Sequence, residues 1–177
     1  AAWYREMAEL VLERTAADEE YRRILFVTPE ERILDFVRWL PDETFLPQRG
    51  ADLGERMAGA VSQLLGSGGY ALLIGTDAPD ISKAVIVQAF DALCLHDVVI
   101  GPAEDGGYYL IGVRRAHADL FDGIVWSTPE VLPATLEKIK MLGLSYALLP
   151  ELADIDTIED YEKWKAGRVT RRRGRAD

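Results

Sequence analysis

Three short acidic stretches carry residue types that do chemistry. Asp77 and Asp80 stand in Gly75-Thr76-Asp77-Ala78-Pro79-Asp80, directly after the apolar run Ala71–Ile74. Glu104-Asp105-Gly106-Gly107 follows an apolar segment at 97–101, and Asp154-Ile155-Asp156 follows another at 145–150. Carboxylates at the end of a buried strand are costly unless a cation, a helix N-terminus or a ligand offsets their desolvation. Gathered in one place they form an all-oxygen donor set, which suits Mg²⁺ or Mn²⁺. Such an ion is the usual partner of a diphosphate, because it neutralises charge on a leaving phosphate.

Each stretch also carries a plainer reading. Asp80 would cap the following helix or its turn, and Asp156 would be the N-cap of a last helix. Gly106-Gly107 would be a tight turn between strands, although a glycine pair also admits a ligand close to the backbone. Asp77 is harder to dismiss, because it sits at the strand end itself. Trp126 reads either as a hydrophobic staple before Ser127 or as a wall against a sugar or base. Asp154-Ile155-Asp156 has the look of an aspartyl-phosphate motif, but that motif belongs after the first strand of its fold and here it lies near the C-terminus. No Gly-rich loop ending in Lys-Ser/Thr and no G-x-S-x-G is present. His96 and His117 are too far apart to suggest a zinc pair, and Cys94, within Ala-Leu-Cys-Leu, reads as a buried structural thiol.

The elements that must position these residues alternate. Residues 1–16 read as an amphipathic helix and 24–28 as a β-branched strand. Thr28-Pro29-Glu30-Glu31 predicts a capped helix to about residue 40, and 44–47 a short strand. Asp52-Leu53-Gly54-Glu55 has capping-box spacing and opens a helix to about residue 65. Residues 70–76 form the clearest buried strand, and Ser82 caps a helix to about residue 95. Strands at 97–101 and 108–113 flank the double-glycine loop with no helix between them, which predicts an antiparallel strand. Ser127-Thr128-Pro129-Glu130 reads as a capping box for a helix to about residue 142, followed by a strand at 145–150 and a helix at 157–164. Strands alternating with helices predict an α/β three-layer sandwich around a mostly parallel mixed sheet. Ligands of such sheets bind beyond the carboxyl ends of the strands, where the acidic stretches fall.

The chain has 177 residues, a net charge of −10 and a single cysteine. That length suits one domain, taken as residues 1–166 with a basic polar tail at 167–177 whose Arg171-Arg172-Arg173 is solvated. Hydrophobic residues make up 49% and charged residues 28%, the balance of an ordinary globular chain and not a disordered one. The acidic surface disfavours nucleic acid and anionic membrane as partners. One cysteine fits a reducing compartment, and no apolar run approaches a membrane span, so a cytoplasmic protein is expected.

The motifs occur in a familiar order: Gln48-Arg49-Gly50-Ala51-Asp52-Leu53-Gly54-Glu55-Arg56-Met57, Ile74-Gly75-Thr76-Asp77-Ala78-Pro79-Asp80, Gly101-Pro102-Ala103-Glu104-Asp105-Gly106-Gly107-Tyr108-Tyr109-Leu110-Ile111-Gly112, Val125-Trp126-Ser127-Thr128 and Asp154-Ile155-Asp156-Thr157-Ile158-Glu159-Asp160. Over roughly residues 45–162 this resembles the glycosyltransferase-like family labelled selenodomain-associated transferase 1. That family is similar to the GT-A (nucleotide-diphospho-sugar transferase) superfamily, which includes nucleotide-sugar transferases and the cytidylyl- and guanylyltransferases of cofactor synthesis.

The resemblance implies a GT-A-type fold and a divalent cation, Mg²⁺ or Mn²⁺. Asp77 matches the superfamily's metal-binding aspartate and Asp156 the later aspartate that completes the site. Gln48 and Gly50 would lie near the nucleotide base, with Thr76, Asp77 and Asp80 beside the nucleotide. Glu104 to Gly107 would face acceptor or sugar, with Glu104 or Asp105 orienting the acceptor hydroxyl or acting as base, and with Trp126 and Ser127 adding to the substrate wall. Members begin with a first, central strand and a Lys/Arg/Pro/Gly-rich phosphate loop, a pattern not found in this sequence. An exposed sheet edge left by that strand would favour a homodimer. The expected activity is metal-dependent glycosyl transfer from a nucleotide-sugar to a small-molecule acceptor. The alternatives are nucleotidyl transfer from CTP or GTP to a phosphorylated acceptor, and a non-catalytic nucleotide-binding module.

Overall fold

The computed structural model describes residues 2–17, 19–66 and 68–173. The chain opens with helix α1 (Ala2–Arg14), strand β1 (Leu25–Val27), a 3-10 turn at Glu30–Arg32, α2 (Ile33–Trp39) and β2 (Phe45–Pro47). It continues with α3 (Leu53–Leu65), β3 (Ala71–Ile74), α4 (Lys83–Leu95), β4 (Val98–Pro102) and β5 (Tyr108–Val113). A 3-10 turn at Ala118–Leu120, α5 (Val131–Met141), β6 (Tyr146–Leu148) and α6 (Ile158–Arg173) complete it.

The strands divide into two sheets. β1 and β2 form a parallel pair, and the other four form a sheet of order β3-β5-β4-β6. β5 is antiparallel to both β3 and β4, and β6 is parallel to β4, so only β5 runs against its sheet. The antiparallel strand expected from the helix-free Gly106-Gly107 connection is therefore β5. β4 shows why the arrangement has three layers. Its residues Val98, Val99 and Ile100 are all fully buried, yet successive side chains point to opposite faces. Val98 and Ile100 pack with Val61 and Ile139 of α3 and α5. Val99 packs with Ile86, Ala89 and Leu93 of α4 and Val11 of α1.

Caps and ion pairs fix the helices. The Asp52 side chain accepts from the Glu55 amide at 2.8 Å, as the predicted box requires, while Glu55 Oε2 accepts from the Ala51 amide at 2.7 Å, one residue before the cap. Arg23 joins the end of α1 to the β1–β2 unit. Its guanidinium donates to the Leu12 carbonyl and, at 2.9 Å, to the Thr15 carbonyl, while pairing with Glu43.

Several expectations need correction. Thr28 does not cap a long helix; Pro29 stands at the cap of a 3-10 turn, and α2 begins only at Ile33. Ser82 occupies the cap of α4 without a side-chain bond. The box at 127–130 does not form, because the Thr128 hydroxyl donates instead to the Val125 carbonyl at 2.8 Å and Glu130 becomes the cap residue. Cys94 is exposed, because the buried face of α4 runs through Ile86, Ala89 and Leu93 and Cys94 falls one position past it. The last helix continues beyond the expected residue 164 to Arg173, so the first part of the basic tail is helical, while 174–177 lie outside the described residues. Among the described residues, no helix is long and apolar enough to cross a membrane.

Candidate active site

The site forms at the carboxyl end of β3. The Gly75 amide donates to the Tyr109 carbonyl at 3.0 Å and so carries the β3–β5 ladder one residue past Ile74. The chain then turns, and the Asp77 side chain folds back over Gly75. A Cβ on Gly75 would lie 2.3 Å from Asp77 Oδ1, so only glycine leaves room for that carboxylate. The Asp77 carbonyl accepts from the Ile155 amide at 2.9 Å, which pins the 154–156 stretch against the end of β3.

Local alternation sets the next two carboxylates. Ile155 is buried with Met7 and Tyr161. In an extended segment its neighbours must point the opposite way, so Asp154 and Asp156 emerge together. Asp156 is not needed as a cap, because the Thr157 hydroxyl accepts from the Asp160 amide at 3.2 Å. The third stretch arrives through a bridge. Ala103 pairs with Leu152, the Leu152 amide donates to the Pro102 carbonyl at 3.1 Å, and the Glu104 amide donates back to Leu152 at 3.2 Å. Asp105 then closes a turn by accepting from the Gly107 amide at 2.7 Å. Gly106 is required there for shape: its φ is +91°, and a Cβ would meet the Pro129 carbonyl oxygen at 2.5 Å.

Asp105, Asp154 and Asp156 each offer a carboxylate oxygen, and these atoms all lie within 4.8 Å of one another. Such a set of hard oxygens fits Mg²⁺ or Mn²⁺. Electrostatics agree with crowding. Burial raises the Asp154 carboxyl to about 6, helped by the charges of Asp105 and Asp156 and by a hydrogen bond to Asp105. Burial also raises Asp77, with Asp156 and Asp105 adding to it.

All four aspartates face one cavity of about 1560 Å³. Thr76 lines it as well, with its hydroxyl 3.1 Å from Tyr4 Oη. So does Gln48, whose Nε2 donates to the Phe26 carbonyl at 3.2 Å. Trp126 meets Tyr108 edge to face, with ring centroids 6.4 Å apart, and lines the cavity with Ser127, which is held at φ +61°. Gly107 is on the wall too.

Four expected residues stand elsewhere, Gly106 among them, since of the glycine pair only Gly107 is on the wall. The Asp80 carboxylate is engaged by Arg14 at 3.3 Å and by Trp164 Nε1 at 3.0 Å, outside the acidic cluster. Glu104 is exposed and does not line the cavity. Gly50 serves the entry to α3, where a Cβ would sit 2.7 Å from the Arg56 amide nitrogen. The three-carboxylate set also departs from the expected ligands: of Asp77 and Asp156 it holds only Asp156, and it adds Asp105, expected as an orienting group or base, and Asp154, not among the expected metal ligands. The signal for Asp154 is the i, i+2 spacing with Asp156 around a buried isoleucine.

The described fold is shared with solved structures. A structure from Desulfovibrio desulfuricans G20, described as a "putative nucleotide-diphospho-sugar transferase", superposes with a TM-score of 0.82 at 34% identity, covering 90% of this chain and 71% of that one. Molybdopterin-guanine dinucleotide biosynthesis protein A from Archaeoglobus fulgidus gives a TM-score of 0.57 at 14% identity, covering 89% of this chain and 82% of that one. A protein from Mycobacterium tuberculosis H37Rv gives 0.60 at 13% identity, covering 91% and 83%. The last two share the fold alone. Comparison with curated proteins gives no significant match. The family model described as "Uncharacterized protein conserved in bacteria (DUF2064)" matches residues 11–128, and this chain, with an α/β mixed-sheet fold of the nucleotide-diphospho-sugar transferase type, belongs to that family.

Proposed function

We propose that this chain is a metal-dependent transferase whose donor is a nucleotide-sugar. The observation that carries this reading is the meeting of Asp105, Asp154 and Asp156 beside Asp77 at the carboxyl end of β3. The 34% identical relative, described as a "putative nucleotide-diphospho-sugar transferase", supports the donor class. The motif order that resembles selenodomain-associated transferase 1 supports glycosyl transfer. Asp105, Asp154 and Asp156 would hold Mg²⁺ or Mn²⁺, which when bound neutralises charge on a diphosphate leaving group. Thr76 and Gln48 would meet the nucleotide along the cavity wall. Trp126, Ser127 and Gly107 would bound the side where sugar and acceptor enter.

The test is calorimetric titration with Mn²⁺, followed by a turnover screen of UDP- and GDP-sugars. The reading expects Mn²⁺ binding that Asp156→Asn weakens at least about tenfold, and sugar release that requires the ion. Pyrophosphate release from CTP or GTP would replace it with nucleotidyl transfer. Nucleotide binding that ignores both Mn²⁺ and Asp156→Asn would leave a passive binding module.

A further inference from the structure

Two segments that carry the site's carboxylates both meet α6. That helix is lightly held: among residues 158–167 only Tyr161 is buried, and Trp164 is half-buried beside it. Tyr161 packs with Met7 of α1 and with Ile155, the residue between Asp154 and Asp156. The Trp164 ring stacks on Tyr161, with centroids 5.9 Å apart and planes 26° apart. The indole then reaches the other segment, where Nε1 donates to Asp80 Oδ2 at 3.0 Å. Arg14 of α1 holds Oδ1 of the same carboxylate at 3.3 Å and also donates to the Pro79 carbonyl. Asp80 is rigidly linked to Asp77. The Ile81 amide donates to the Ala78 carbonyl at 3.1 Å, and Ala78 and Ile81 are fully buried. In so packed a turn Asp80 cannot shift without moving the chain that bears Asp77.

We propose that Trp164 is a positioning residue of the cation site: stacked on Tyr161 and bonded to Asp80, it sets the Asp77 loop against the Asp154–Asp156 segment. The assignment rests on the reading above, that these carboxylates hold a divalent cation. The main-chain bond from the Ile155 amide to the Asp77 carbonyl, 2.9 Å, already joins the two segments, but one bond leaves a hinge. The indole is a second tie at a distance from the first, and it fixes the angle between them. Its effect is carried through Asp80 and Ile155 and is not exerted on the cation itself. A helix held by so few contacts opens locally at low cost. A cation that needs both segments in register therefore favours the docked helix, and by linkage the docked helix favours the cation by the same factor.

The test is calorimetric titration of Mn²⁺ into the full chain and into Trp164→Phe, Asp80→Ala and the double variant. Trp164→Phe keeps a ring on Tyr161 and removes the indole N–H, and it should weaken Mn²⁺ binding about fivefold. In Asp80→Ala the acceptor is already gone, so adding Trp164→Phe should change affinity little further. Lys165→Met removes an exposed ion pair to Glu6 from the same helix and should bind Mn²⁺ as wild type does. Amide exchange is the readout that a merely stabilising contact would not move. Mn²⁺ should slow exchange along residues 158–167 about fivefold in wild type and far less in Trp164→Phe. Three results overturn the assignment while leaving the cation site in place: equal Mn²⁺ affinity in wild type and Trp164→Phe, additive losses in the double variant, or exchange along α6 that ignores Mn²⁺ in wild type. Wild type that binds no Mn²⁺ removes the cation reading and this assignment together.

Discussion

Asp154→Asn should change how stability and ion affinity depend on pH. Burial and the charges of Asp105 and Asp156 lift the Asp154 carboxyl from the ordinary 3.8 to about 6. The folded state therefore holds a proton that the unfolded chain releases between those values. Stability from this group is fully present below pH 3.8 and is lost as pH rises through about 6. Depressed carboxyls such as Asp97, held by Ser145, and Asp160, held by Thr157, act with the opposite sign. The difference between wild type and variant isolates the effect. Between pH 4 and 6, wild type should lose stability relative to Asp154→Asn in urea titrations without metal. Mn²⁺ competes with the same proton. A group titrating near 6 is about nine-tenths ionised at pH 7 and about one-tenth at pH 5, so affinity should fall about tenfold over that interval. In Asp154→Asn, affinity is lower throughout and the interval is flatter. Parallel stability curves for the two proteins, or Mn²⁺ affinity that is level from pH 7 to pH 5 in wild type, would refute the reasoning.

Other perturbations follow from single contacts. Gly75→Ala places a methyl 2.3 Å from Asp77 Oδ1, so that carboxylate must move by about 1 Å; Mn²⁺ or nucleotide affinity should drop about tenfold or more with the circular dichroism spectrum unchanged. Gly167→Ala, which faces open space, is the control and should bind as wild type does. Arg23→Met strips partners from the Leu12 and Thr15 carbonyls and from the half-buried Glu43, and should cost about 3 kcal/mol by urea unfolding. Asp52→Ala removes the bond to the Glu55 amide and should cost about 1 kcal/mol in the same assay.

How much of this was legible in the sequence depended on the range of the interactions. β4 was readable because a strand buried on both faces writes a continuous apolar run, Val98, Val99 and Ile100. The α3 start was readable because Asp52 and Glu55 act within one turn. The α5 start was misread although its signature is as local, because the Thr128 hydroxyl found the Val125 carbonyl instead of a helix amide. Cys94 was misread because its apolar neighbours do not reveal which face of α4 turns inward. The division into two sheets left no local trace, since strand pairing is decided by residues far apart in sequence. Within the site, Asp77 and Asp156 were legible by type and position, whereas Asp154 required knowing that Ile155 is buried.

Backbone ties explain why the aspartates can stand together before any ion arrives. The Ile155–Asp77, Leu152–Pro102 and Glu104–Leu152 bonds fix the carboxylate-bearing segments through main-chain atoms, and the Asp105 carboxylate holds its own turn by accepting from the Gly107 amide. None of these bonds spends the carboxylates of Asp154 or Asp156. The fold therefore holds like charges close at a cost met by core packing around Ile155 and β4, and below about pH 6 the cluster relieves its repulsion by retaining a proton on Asp154. A cation displacing that proton would find its oxygens already gathered. Binding should then add little secondary structure and should show chiefly as a rise in thermal stability at pH 7.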